Sequence, residues 1–96
     1  MVKHILFVKL KDNSTLSCEQ VKARFLTMKE HIDFLRDVQV GIDYLHSDRS
    51  YDVVLELIVD SPADLERYQA HPYHVEQIKP YIHDVRSGSA TVDYEF

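Results

Sequence analysis

Tyr68, His71 and His74 stand three residues apart in the segment Tyr68-Gln69-Ala70-His71-Pro72-Tyr73-His74, and His4 lies near the start of the chain. On a continuous helix, a spacing of three puts successive side chains near one another. A phenol and a neutral imidazole within hydrogen-bond reach could move a proton to and from a carbonyl compound. Pro72 interrupts the helix, so spacing alone does not fix this arrangement. Each residue also has a structural role open to it. His71 before Pro72 could cap a second helical piece, Tyr68 could fill the core with its hydroxyl at the rim, and His4 could be a satisfied histidine under the helices.

Other chemistries find less support. His71-x-x-His74 has no carboxylate at a recognised ligand spacing, and His31, His46 and His83 are scattered and read as solvent-facing, so no metal site is predicted. No motif specifies a heme ligand, and no cofactor is predicted. Cys18 is the single cysteine, which excludes an intramolecular disulfide and a multi-cysteine metal site. It has no identifiable base beside it and reads as structural. The 11 basic residues are outnumbered by 16 acidic ones, for a net charge of −5, and they form no stripe or arm. That argues against nucleic acid and against an anionic membrane surface as partners. Apolar runs fall far short of the ~18 residues of a membrane span. The opening Met1-Val2-Lys3-His4 shows no signal peptide, so the cytoplasm is the expected compartment.

At 96 residues the chain is expected to be one domain, 1–96, with a single core. His4 to Leu10 is apolar on both alternating faces, as expected of a strand covered on both sides. Ser17 and Gln20 have the spacing of a capping box, and Val21, Phe25, Met28, Ile32 and Leu35 then form one stripe, which predicts a helix from about Ser17 to Leu35. Val38–Leu45 and Tyr51–Val59 alternate as strands. Ser61-Pro62 starts a second helix, which ends near His71. A further helical piece is expected to run to about Lys79, with Pro80 ending it, and Ser89–Phe96 is a last strand.

This order predicts an α+β, ferredoxin-like βαββαβ fold: a four-stranded antiparallel sheet with both helices on one face. The other face carries Ile5, Phe7, Val54 and Ile58, too apolar to leave in water, so a second copy of the sheet is expected to cover it. On the helix side, a mostly apolar pocket is expected along Leu6, Val53 and Leu55, with His4, Tyr68, His71 and His74 as its polar groups.

The opening Val2-Lys3-His4-Ile5-Leu6-Phe7-Val8-Lys9-Leu10-Lys11, the strand Tyr51-Asp52-Val53-Val54-Leu55, the Tyr68–His74 segment and the terminal Val92-Asp93-Tyr94-Glu95-Phe96 together resemble the stress-responsive A/B barrel domain family. The resemblance covers essentially the whole chain. It implies a dimeric α+β barrel, in which two ferredoxin-like sheets face each other across a two-fold axis. Some plant members are polyketide cyclases that need no metal or organic cofactor, and related barrels include cofactor-free monooxygenases and heme-binding enzymes. By this resemblance Tyr68 and His74 match the cyclases' acid–base positions, and His4 matches a pocket histidine. The sequence departs from the cyclases at Val53, where they carry a further histidine. Two functions are therefore expected: a homodimer with a small hydrophobic-ligand pocket, or a cofactor-free cyclase-like or monooxygenase-like enzyme acting on a hydrophobic carbonyl compound.

Overall fold

The structure, a computed structural model, describes all residues from Met1 to Phe96. Four strands, β1 (Val2–Leu10), β2 (Asp37–Ile42), β3 (Val53–Val59) and β4 (Arg86–Glu95), form one antiparallel sheet in the order β2-β3-β1-β4. The helices are α1 (Thr15–Leu26), α2 (Met28–His31), α3 (Pro62–Ala70) and α4 (Lys79–Val85), with a π-helical turn at His74–Ile78 leading into α4. This is the ferredoxin-like βαββαβ arrangement, its helical segments packed on one side of the sheet.

Alternation along the strands decides which residues enter the core. Val53, Leu55, Leu57 and Val59 of β3 are buried, while the intervening Val54, Glu56 and Ile58 are only half-buried. Val21, Phe25, Met28 and Ile32 from the first helical segment close over the buried face, joined by Tyr68, Ile78 and Ile82.

β2 ends at Ile42 rather than Leu45, β3 begins at Val53 rather than Tyr51 and β4 begins at Arg86 rather than Ser89, and the helices differ from the sequence reading in three places. The first helix is capped by Ser14 rather than by a Ser17/Gln20 box. Ser14 Oγ accepts the Ser17 N–H at 3.3 Å, and Asp12 holds the cap by accepting from Ser14 N at 3.0 Å and from Ser17 Oγ at 2.9 Å. The helix also does not run unbroken to Leu35. Thr27 sits at a junction where its hydroxyl donates to the Arg24 carbonyl at 2.6 Å and accepts from the Tyr73 hydroxyl at 2.6 Å. Ile32 then leaves in extended conformation. Met28 and Ile32 nonetheless stay buried, because the stripe specifies which side chains face the sheet and not whether the backbone is continuous. The third difference is at Pro80, which lies inside the first turn of α4 instead of ending a helix. A proline is tolerated there because that N–H would have no intrahelical partner.

The second helix begins as expected: Ser61 Oγ accepts the Asp64 N–H at 3.2 Å, and Pro62 takes the first helical position. The face of the sheet away from the helices is open. Val92, Tyr94 and Phe96 are 53%, 42% and 61% exposed, and Ile5, Phe7, Val54 and Ile58 are only partly covered.

Candidate functional site

A cavity of about 180 Å³ lies between the β1–β4 half of the sheet and the helical segments beyond Ala70. Its position follows from the layer packing. The first helix rests mainly on β2, and α3 touches β1 and β3, so the outer strand β4 keeps its helix-side face exposed. β1 supplies His4 and Leu6, α3 supplies Tyr68 and Gln69, the π-helical turn supplies His74 and Ile78, and β4 supplies Thr91.

His4 is 6% exposed and faces the helices. The β1–β4 register sets it directly opposite Asp93, and its Nδ1 hydrogen-bonds Asp93 Oδ1. The carboxylate accepts, so Nδ1 carries a hydrogen, and in the neutral ring Nε2 keeps its lone pair. His74 is arranged the same way through a different partner. Its Nδ1 lies 3.2 Å from the Gln69 carbonyl oxygen, which also only accepts. No protein atom hydrogen-bonds Nε2 of either ring. Burial pushes the His74 pKa below the ordinary histidine value, opposed by the Gln69 hydrogen bond and reinforced by the nearby Lys79 ammonium. The cavity therefore holds two histidines whose Nδ1 hydrogens are committed and whose Nε2 atoms are free.

Tyr68 connects them through its ring, whose centroid is 4.6 Å from that of His74 and 5.9 Å from that of His4. Its hydroxyl is spent elsewhere, donating to Met28 Sδ at 3.6 Å inside the core. Burial raises its pKa far above the usual phenol range, so it keeps its proton. The contact between Tyr68 and His74 is ring to ring, with no hydrogen bond between their polar atoms.

Three expected lining residues lie outside this cavity. Val53 and Leu55 are on the central strand β3, sealed beneath the helices at 2% and 0% exposure. The cavity lies toward β4 instead, where Thr91 and the α4 residues Ile82 and His83 line it together. His71 ends α3, turns away, and accepts the Tyr73 N–H on Nδ1 at 3.1 Å while its ring stands 6.1 Å from that of Phe34. Asp93 and Gln69 were not singled out from the sequence. Asp93 could have been found from register, since alternation sets Thr91 and Asp93 on the face opposite Val92 and Tyr94. Gln69 acts through its backbone carbonyl, which leaves no side-chain signal.

The π-helical turn positions His74. The Lys79 N–H donates to the His74 carbonyl five residues back, and Pro80 has no N–H to offer Glu76. Such wide turns occur often at functional sites.

A family model described as the stress responsive A/B barrel domain matches residues 2–96. Among solved structures, a dimeric protein of unknown function with a ferredoxin-like fold from Bacteroides fragilis is 26% identical, with a TM-score of 0.81 over 99% of this chain and 95% of that one. A dimeric ferredoxin-like protein of unknown function from Thermobifida fusca is 22% identical, with a TM-score of 0.82 over 99% and 90% of the two chains. A hydroxynitrile lyase from Passiflora edulis is 20% identical, with a TM-score of 0.80 over 97% and 90%. At the last two identities the likeness carries the fold alone. No curated protein matches the sequence.

Proposed function

The chain belongs to the stress responsive A/B barrel domain family, and on that premise we propose that it is a homodimer in which each subunit holds a small, mainly apolar carbonyl compound in the His4–Tyr68–His74 cavity. The homodimer is supported by the apolar free face of the sheet and by the dimeric relatives. The pocket reading rests on one observation above all: two histidines in one cavity each commit Nδ1 to an acceptor and leave Nε2 unpartnered. Both Nε2 atoms are accessible rather than buried, since no buried side-chain nitrogen or oxygen lacks a partner, so a ligand with a polar group could meet them as open sites in the cavity. The volume, below the ~300–1,000 Å³ of drug-sized sites, fits a compound with a single ring.

The same observation favours a second reading, cofactor-free proton transfer. A neutral His74 is a competent base at Nε2, and His4 backed by Asp93 can take up or return a proton. In this reading Tyr68 is the wall that aligns the two rings, and its hydroxyl is not the acid. That one protein of this fold is a hydroxynitrile lyase makes catalysis worth testing.

The test is calorimetric titration of the full chain with phenylacetone, alongside the variant Thr91→Trp, which would fill the cavity from an exposed rim position. Saturable one-to-one binding that weakens at least tenfold in the variant is expected. Undiminished binding in a folded Thr91→Trp protein would place the ligand elsewhere.

A further inference from the structure

We infer that the cavity takes a ligand bearing a carboxylate beside its carbonyl body, with Lys79 and Arg86 at the mouth holding the anionic group; this rests on the pocket reading above. The chain carries 16 acidic against 11 basic residues, yet none of the 12 residues lining the cavity is an aspartate or glutamate. Lys79, His83 and Arg86 line it instead. Neither Lys79 nor Arg86 contacts a carboxylate: the close basic–acidic contacts in the fold involve Arg36, Arg67, His4 and His46. Arg86 is half-buried and steadied from one side, donating from Nη1 to Ser89 Oγ at 2.6 Å, with Nη2 3.5 Å from His83 Nε2. A guanidinium has five N–H donors, so this leaves others for a carboxylate.

Asp93, on the same face of β4 as Thr91, does not line the cavity and is hydrogen-bonded to His4 rather than to Lys79 or Arg86. On a molecule of net charge −5, cations outside any ion pair at one cavity attract anions to that opening. The field of Lys79 also reaches His74, where it helps keep the ring neutral. A bound carboxylate at the mouth would offset it, so occupancy should raise the His74 pKa. The ligand class is thus a small 2-oxo acid or similar ring-bearing keto acid, its carbonyl toward the two Nε2 atoms and its carboxylate toward Lys79 and Arg86.

The matched probes are phenylpyruvate and phenylacetone, which share a skeleton and differ by carboxylate against methyl. Titrated into the full chain at low salt, phenylpyruvate should bind about tenfold or more tightly, as expected of a charge-assisted contact. Lys79→Gln combined with Arg86→Gln should abolish that preference, whereas Lys79→Arg should retain it. If the double variant does not fold, the single variants at the same positions should each reduce the preference about threefold. Equal affinity for the two probes in the native protein, or a preference that survives the folded double variant, overturns the carboxylate assignment and leaves the pocket reading standing. Binding of neither probe overturns both.

Discussion

Asp93 lies directly across the β1–β4 ladder from His4 and accepts the His4 Nδ1 hydrogen, so one cross-strand pair fixes the tautomer of a histidine in the cavity wall. Asp93 is 37% exposed at its side chain against 8% for His4, so solvent weakens the pair as an ion pair but not its geometric effect. Asp93→Ala should cost about 1 kcal/mol of stability. It should also mix the two His4 tautomers, which ring nitrogen-15 shifts report directly. A single unchanged tautomer in the variant would show that Asp93 does not set it.

Tyr68 is packed by its ring and only weakly held by its hydroxyl. The hydroxyl faces Met28 Sδ, a poor acceptor, so Tyr68→Phe should cost no more than about 1 kcal/mol in urea unfolding and should leave ligand affinity within about twofold. Tyr68→Ala, which empties a buried aromatic site, should cost about 3–5 kcal/mol. A hundredfold loss of turnover in a well-folded Tyr68→Phe protein would restore the hydroxyl as the catalytic acid.

His74 gives the fold a pH dependence of known sign. Its folded pKa is below its unfolded value near 6.5, because burial disfavours the charged ring. The unfolded chain therefore binds more protons than the folded one as pH falls below about 6.5, and stability declines from there to the depressed folded value. Above that window the contribution is constant. Unfolding free energies measured between pH 7 and pH 5 should slope less steeply in His74→Gln, and equal slopes in the two proteins would contradict burial of a neutral ring.

Phe7 sits on the free face of the sheet, its ring 6.0 Å from that of Tyr51. If that face meets its copy over about 2,000 Å², Phe7→Asp should bring two charges into an apolar interface and shift light scattering from the dimer mass to the monomer mass. A native protein that is already monomeric at micromolar concentration would remove the dimer.

The architecture was legible because period-two and helical stripes report which side chains are buried, and these survive local breaks. The stripe through Met28 and Ile32 predicted the right burial although the helix stops at Thr27. What escaped was decided by hydrogen bonds between residues far apart in sequence. Thr27, at the helix break, is hydrogen-bonded by Tyr73, 46 positions away, and His4 by Asp93, 89 positions away. In the candidate site, His4, Leu6, Tyr68 and His74 share one cavity, whereas Val53 and Leu55 lie under the helices and His71 turns out of it. Helix coverage of individual strands decides that difference, and a face pattern cannot express it. Pro80 likewise reads as a stop in sequence, yet after a π-helical turn it stands where a proline is harmless.

The central claim is that the free Nε2 atoms of His4 and His74 face one ligand site. It is tested most directly by long-range proton–nitrogen spectra of the histidine rings during a phenylacetone titration of the full chain. The Nε2 resonances of His4 and His74 should move together along one saturating curve, while those of the exposed His31 and His46 stay in place. Stationary His4 and His74 resonances at saturating phenylacetone, or equal movement of all four rings, would contradict it.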